Sequence, residues 1–170
     1  IRRMTPTLRP ITKADLAQLV NHANNKAISD QLTDAFPFPY TEEHGRSFIK
    51  MTEQNDPRNI LAITVKNELI GAIGIHPKTD IDRMNAEMGY WIAETYWGKG
   101  IVTKAIEQMV AYTFGHFPDI TRIFARPYGD NIASQRVLEK AGFTLEARLK
   151  ATLIKNGVIK DELVYAVRRP

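Results

Sequence analysis

A strand, a glycine-containing loop and an amphipathic helix follow one another between residues 86 and 114, and they restrict the fold more than any other part of the chain. Residues 86–92 have strand character, and the spacing of apolar residues predicts a helix over about 99–114. The loop between them reads YWGKG at 96–100. The buried side of the helix is expected to contain Ile101, Ala105, Ile106, Met109 and Val110. This unit predicts a mixed α/β fold.

The remaining segments predict a single mixed α/β domain over residues 1–170. Thr12 and Thr41 are expected to begin two helices. Residues 66–68 and the Asn-Gly pair within 155–157 predict two hairpins. The predicted order is one strand, two helices, three strands, a helix, a strand, a helix and two strands. The other predicted segments are strands at 7–9, 60–65, 69–75 and 122–125, a helix at about 131–141, and strands on both sides of 155–157.

The composition excludes several classes of protein. None of the 170 residues is Cys, so a disulfide, a thiol nucleophile or a thiolate metal site is impossible. No apolar run reaches the roughly 18 residues of a membrane helix, and residues 1–6 lack the hydrophobic core of a signal peptide. We therefore expect a cytoplasmic protein with no membrane partner, and its initial Ile suggests that further residues precede it.

The charge suits an anionic ligand. A formal net charge of +4 and a pI of about 9.3 fit a nucleotide cofactor, nucleic acid or an ordinary basic surface. Lys and Arg are scattered, without a long run and without interleaved aromatic residues. A nucleic-acid partner is therefore not predicted.

The loop at 96–100 provides a candidate anion site. A helix N-terminus presents free backbone N–H groups and the positive end of the helix dipole. Gly98 and Gly100 allow the backbone to approach a phosphate, Lys99 adds a charge, and Thr103 adds a hydroxyl. The loop matches neither a Walker loop nor a Rossmann fingerprint. On the glycines alone, an ordinary loop before a helix is the competing interpretation.

A second segment reads NIASQRVLEKAGF at 131–143, where Asn131 is expected to cap a helix and Gly142 to end it. Alone, it is also compatible with a purely structural helix. With EMGYWI at 87–92, YWGKG at 96–100 and FPFPYT at 36–41, it resembles the GNAT acetyltransferase superfamily. The closer similarity is to the ribosomal-protein N-terminal acetyltransferases of the RimJ/RimL type, in an order of elements that covers nearly the whole chain.

The resemblance implies the GNAT-like acyl-CoA N-acyltransferase fold, with a central twisted mixed sheet flanked by helices. Parallel strands at 86–92 and 122–127 would splay into a V that holds acetyl-CoA. The pantetheine arm would pair with backbone near Ile92 and Ala93, and the pyrophosphate would rest on the loop and the first helical turn. The implied cofactor-binding residues are Ile92, Ala93, Trp97, Gly98, Lys99, Gly100, Ile101, Val102, Thr103, Asn131 and Ser134.

Three positions depart from the family's pattern. Trp97 stands where many members have Gln or Arg, and Val102 stands where Gly or Ala is usual, so its branched side chain must point away from the phosphates. Many members use a Tyr on the last helix to protonate the departing thiolate, and Leu138 occupies that position here. Ser134 is the substitute acid that we name. Alternatively, Ser134 only bonds the cofactor, or the thiolate leaves without an acid.

Glu87 is the candidate base, acting through an ordered water, because strand 86–92 would line the acceptor cleft. The competing interpretation is a carboxylate that faces solvent or pairs with Lys or Arg. Strand alternation puts Glu87 and Tyr90 on opposite faces, so they cannot point into the same cavity. A backbone N–H near Ile92 or Ala93 would steady the developing oxyanion.

The acceptor that needs least help from a base is an α-amine. Deprotonating an α-amine with a pKa of about 7.8 costs about 1 kcal/mol at pH 7, against roughly 4.6 kcal/mol for a lysine ammonium. We therefore expect acetyl transfer to a protein N-terminus by direct attack in a ternary complex. The alternatives are an acetyltransferase for a small amine, such as an antibiotic or a polyamine, and a non-catalytic acyl-CoA sensor.

The remaining polar and aromatic candidates are weaker. Four His residues lie far apart in the chain, and no metal is expected. His76, which follows the strand at 69–75, is the one that could approach the acceptor site. Phe36, Phe38 and Tyr40 either wall the acceptor cleft or fill the core. A monomer and a homodimer are both compatible with the sequence.

Overall fold

The computed structural model describes residues 4–170, which form one mixed sheet with helices on both faces. The strands are β1 (Thr7–Arg9), β2 (Ile60–Val65), β3 (Glu68–Pro77), β4 (Asn85–Ile92), β5 (Arg122–Ala125), β6 (Thr144–Lys155) and β7 (Val158–Arg168). The helices are α1 (Leu16–Ala23), α2 (Lys26–Ser29), α3 (Glu42–Thr52), α4 (Ile101–His116) and α5 (Ile132–Lys140). The expectation about a signal peptide rests partly on Ile1, Arg2 and Arg3, which lie outside the described residues.

The sheet has the strand order β1-β2-β3-β4-β5-β7-β6. The β4–β5 pair is parallel and the other neighbouring pairs are antiparallel. The predicted mixed α/β fold is therefore confirmed, and its one parallel pair lies near the centre of the sheet.

Two hairpin turns confirm the predictions made from turn residues. Lys66 and Asn67 have φ values of 51° and 64° and join β2 to β3. Asn156 and Gly157 have φ values of 51° and 77° and join β6 to β7. Two central residues with positive φ form the turn whose twist matches that of paired strands. Local residue chemistry therefore sets both turns.

Two hydrophobic clusters cover the two faces of the sheet. One contains residues of β2–β5 and β7 with residues of α4 and α5, and the other contains Leu19, Ile49 and Trp91 with residues of β2 and β3. On α4 the predicted apolar side is largely confirmed, with Val110 only partly buried. The two faces of β4 therefore belong to different halves of the molecule, with Tyr90 on the α4–α5 side and Trp91 on the α1–α3 side.

The amino-terminal helices differ from the prediction. Thr12 begins a 3₁₀ turn at Lys13–Asp15 before α1, and the short helix α2 was not predicted. The four residues of α2 are too few to show helical spacing, and the helix depends on Asn25, whose side chain accepts a hydrogen bond from the Ala27 N–H at 2.9 Å.

Within residues 4–170, no helix combines the length and the apolar character needed to cross a bilayer.

Candidate functional site

The parallel strands β4 and β5 separate after a short paired region. Their paired residues are Asn85 with Arg122, Ala86 with Ile123, and Glu87 with Phe124. The remainder of β4, at 88–92, continues beyond the last of these pairs. The strands therefore form the predicted V, which opens toward their carboxyl ends.

The backbone of Ile92 faces this opening. The Ala93 N–H donates to the Ile70 carbonyl at 2.7 Å, so the adjacent pair, Gly71 and Ile92, is a non-hydrogen-bonded pair of the β3–β4 ladder. In such a pair the N–H and C=O groups point away from the partner strand, which for Ile92 is toward the V. The Ile92 carbonyl accepts a hydrogen bond from the Trp97 indole at 3.0 Å. The Ile92 N–H is thus directed into the opening.

Ala93 is placed differently from the expectation. Its N–H is bonded to Ile70, and its carbonyl accepts from the Tyr96 N–H at 2.9 Å. Both backbone groups therefore stabilise the β4–α4 connection. The Ala93 N–H is thus occupied within the protein, which leaves the Ile92 N–H as the candidate for the oxyanion role, while the Ala93 carbonyl keeps a second lone pair and its contact with a pantetheine arm stays a prediction.

The loop before α4 has the backbone of an anion site. Gly98 and Gly100 have φ values of 72° and 76°, which glycine adopts at little cost. Apart from adjacent residues of the chain, a Cβ at either position would meet no described protein atom within 4 Å, so the space in front of the loop is open. The helix begins at Ile101, slightly later than predicted, and the Val102 side chain packs against the core, away from the loop as expected.

The N-terminus of α4 is free to receive an anion. Within residues 4–170, no side chain caps this helix and no acidic residue lies in its first turn. By contrast, α3 has Thr41 as its cap, with Glu42 and Glu43 in its first turn. The backbone N–H groups at 101–103 have no intrahelical acceptor, and Lys99 lies beside them with its ammonium 5.8 Å from the centre of the Tyr96 ring.

On the other side of the V, α5 carries a fixed hydroxyl. Asn131 caps the helix, since its Oδ1 accepts from the Ser134 N–H at 3.1 Å. The Ser134 Oγ lies 2.6 Å from the Tyr90 hydroxyl on β4. Burial raises the pKa of Tyr90 to about 12, against the opposing effect of its bond to Ser134, so the phenol stays protonated at neutral pH. Tyr90 was not predicted as a site residue, although strand alternation had placed it on this face.

Glu87 lies on the opposite face of β4 in an ion-pair network. Its carboxylate accepts from the Arg126 Nε at 3.1 Å and lies 4.0 Å from the Lys78 Nζ. Arg126 also lies 3.6 Å from the Glu162 carboxylate. The competing interpretation of Glu87, a carboxylate paired with Arg or Lys, is therefore the arrangement observed. His76 of β3 is exposed and is paired with Glu87 in the β3–β4 register.

Gly89 leaves an open space between Glu87 and Trp91 on this face. It is exposed, and a Cβ built on it would meet no described protein atom within 4 Å. Trp91 is buried and lies against Phe36, with ring centroids 5.8 Å apart. Of the other aromatic residues of this region, Tyr40 belongs to the core, whereas Phe38 is 48% exposed. On the candidate acceptor side, the surface at Gly89 is therefore open and lies next to the aromatic side chains of Phe36, Tyr40 and Trp91.

Two further expectations concern Leu138 and metal ligands. The Leu138 side chain is fully buried in the core cluster beneath α5, where it fills space between α5 and the sheet.

Over residues 4–170, His, Asp and Glu side chains form no group of three or more that could hold a metal ion.

The chain is similar to known proteins over most of its length. It is 28% identical to the ribosomal-protein-serine acetyltransferase of Escherichia coli over 89% of this chain and 84% of that protein. Among solved structures, RimL, a ribosomal L7/L12 alpha-N-protein acetyltransferase in complex with coenzyme A, has a TM-score of 0.81 and 25% identity, covering 95% of this chain and 92% of that one. The microcin C7 self-immunity acetyltransferase MccE, in complex with acetyl-CoA and AMP, has a TM-score of 0.78 and 27% identity, covering 96% and 92%.

Other curated relatives are matched over only part of their length. Three N-acetyltransferases of Bacillus subtilis are 38%, 33% and 36% identical to this chain, which spans 57%, 53% and 57% of their lengths. The family model of the acetyltransferase (GNAT) domain matches residues 6–144, a range that includes the V, the loop and α5. The chain therefore belongs to the GNAT acetyltransferase family.

Proposed function

We propose that this protein transfers the acetyl group of acetyl-CoA to the N-terminal α-amine of a protein. The observation that carries the proposal is the splayed β4–β5 pair beside an uncapped α4 N-terminus, which together offer a cleft and an anion site. The similarity to a ribosomal-protein-serine acetyltransferase and to an alpha-N-protein acetyltransferase supports the choice of acceptor.

Acetyl-CoA fits the residues on the cofactor side of the V. Its pyrophosphate would be held by the N–H groups from Gly98 to Thr103, with Lys99 supplying a further positive charge. The Ile92 N–H is directed into the opening and is available to the pantetheine arm or to the developing oxyanion. Trp97 fixes the Ile92 carbonyl, and Asn131 holds Ser134 at the start of α5.

The reaction needs only modest acid–base help. A neutral α-amine attacks the thioester carbonyl, a C–N bond forms, the C–S bond breaks, and the electron pair leaves on sulfur. The amine's surplus proton passes to Glu87 or, through water, to solvent. The Glu87 carboxylate is already engaged by the Arg126 guanidinium at 3.1 Å, so it offers the amine only part of its hydrogen-bonding capacity. A weak base is sufficient because deprotonating an α-amine costs only about 1 kcal/mol at pH 7.

The Glu87→Gln substitution is expected to lower kcat/KM for the amine about tenfold, below the roughly 100-fold minimum typical of a general base because an α-amine needs little deprotonation, and to leave acetyl-CoA affinity unchanged. Steady-state kinetics with calorimetry of acetyl-CoA binding measures both quantities. The matched control is Glu146→Gln, which removes a carboxylate that likewise pairs with two cationic side chains, those of Arg122 and Arg168. Equal losses in the two variants would show that Glu87 serves stability alone.

The Gly89→Val substitution is expected to reduce kcat/KM for the acceptor at least about tenfold and to keep or raise the melting temperature. Valine is favoured in a strand and its side chain meets only open space at this position, so folding is not penalised. The same side chain would fill the open space at Gly89, between Glu87 and Trp91, where we place the acceptor. Unchanged acceptor kinetics in a folded variant would show that the acceptor does not bind over Gly89.

The function is tested by release of CoA thiol from acetyl-CoA with a panel of peptides with free N-termini, polyamines and aminoglycosides. Release with peptides alone is expected. Release with small amines alone would favour the second candidate, acetylation of a small molecule, for which the similarity to MccE bound to acetyl-CoA and AMP is the supporting observation. Tight acetyl-CoA binding without turnover would indicate an acyl-CoA sensor, and an absence of binding would contradict the proposal as a whole.

A further inference from the structure

Two hydroxyl groups meet beside the V, one on strand β4 and the other on helix α5. The Tyr90 hydroxyl on β4 and the Ser134 Oγ on α5 are 2.6 Å apart, and the two residues are separated by 44 positions in the chain. The Tyr90 ring packs partly buried against the larger core cluster, and the Asn131 cap holds the Ser134 backbone at 3.1 Å. Both hydroxyls are therefore held by rigid elements.

The direction of the hydrogen bond decides what Ser134 offers to a ligand. Each hydroxyl has one hydrogen, so only one of the two can donate in this pair. If Tyr90 donates, the Ser134 oxygen is occupied as an acceptor and its own hydrogen is free to point into the V. If Ser134 donates, its hydrogen is used inside the protein, and the V faces an acceptor that would repel a developing thiolate.

The relative acidity of phenol and thiol argues against a proton relay that starts from Tyr90 and ends on the departing sulfur. The phenol, with its pKa raised to about 12 by burial, holds its proton more tightly than a thiol with a pKa of about 8.5. Complete transfer from Tyr90 through Ser134 to the thiolate is therefore unfavourable by more than a thousandfold. Tyr90 is suited to donate a hydrogen bond and to keep its proton.

We propose that Tyr90 is a positioning residue that donates its hydroxyl hydrogen to Ser134 and thereby directs the Ser134 hydrogen toward the departing sulfur. This inference rests on the proposed acetyl transfer and assigns a task to a residue outside the loop and the helix cap. No proton is transferred from either hydroxyl in the step. The sulfur leaves as a thiolate that accepts a hydrogen bond from Ser134 and later takes its proton from solvent.

The test is a double-mutant cycle of Tyr90→Phe and Ser134→Ala. Tyr90→Phe keeps the ring and removes the hydroxyl, so we expect kcat to fall about tenfold while KM for acetyl-CoA stays within about twofold. Ser134→Ala is expected to lower kcat at least as much. The double variant should equal Ser134→Ala alone, because Tyr90 acts only through Ser134. A residue that merely stabilises the fold would give additive losses.

Tyr112→Phe is the matched control, since the Tyr112 hydroxyl is also partly buried and hydrogen-bonded. It donates to the Arg58 carbonyl at 2.7 Å and so joins α4 to the loop before β2. It should leave kcat unchanged. Wild-type turnover with additive losses, or with no loss in Tyr90→Phe, would overturn the role of Tyr90 and leave the acetyl-transfer proposal intact. Wild-type protein that releases no thiol with any amine would overturn both.

Discussion

Replacing Gly100 by Asp is expected to weaken acetyl-CoA binding about 100-fold, because a carboxylate would face the pyrophosphate at the start of α4. Two like charges about 4 Å apart repel by roughly 1 kcal/mol in bulk water and by roughly 4 kcal/mol near a protein surface. Gly100 caps the helix with a φ of 76°, and beyond its two chain neighbours no described atom lies within 4 Å of its Cβ position, so the new side chain has room in front of the loop.

The matched control is Gly100→Asn, which has the same shape and tolerates positive φ about as well as Asp does. Both variants therefore carry the same conformational cost, and the difference between them isolates the charge. Calorimetric titration with acetyl-CoA gives the two dissociation constants, and thermal unfolding shows whether the fold is kept. Similar affinities for Asp and Asn would place the pyrophosphate elsewhere.

Replacing Leu138 by Tyr, the residue that many family members have at this position, is expected to lower the free energy of unfolding by about 3 kcal/mol. Leu138 is fully buried in the core cluster between α5 and the sheet. The larger ring overpacks that cluster at a cost of roughly 1–3 kcal/mol, and an unpartnered buried hydroxyl adds a similar cost. The substitution would therefore damage the core without supplying an acid to the V.

Chemical denaturation of the wild type, Leu138→Tyr and Leu138→Met measures this effect. Methionine nearly conserves the volume of leucine and should cost less than about 1.5 kcal/mol. Increased activity together with wild-type stability in Leu138→Tyr would mean that this side chain reaches the V. In that case Ser134 and Tyr90 would have no special part in thiolate departure.

Much of the architecture follows from short stretches of sequence. The turns at 66–67 and 156–157 are determined by Asn, Gly and their neighbours, because positive φ is a local property of a residue. Residue patterns predicted the first five of the seven described strands to within two residues of their bounds, and the last two strands were predicted on either side of 155–157 without bounds. The glycine loop and the Asn131 cap were also predictable, since both act on the helix that follows them directly.

The contacts that define the chemistry joined residues that are distant in the chain, and only the tertiary structure decided them. The Glu87–Arg126 pair spans 39 positions and the Tyr90–Ser134 pair spans 44, and each depends on how β4 lies beside β5 and α5. The Ala93 N–H is bonded to Ile70 because of the β3–β4 register. Sequence spacing determined which face of β4 each side chain occupies. Strand register and helix docking determined what each side chain meets there, because those depend on the packing of the whole core.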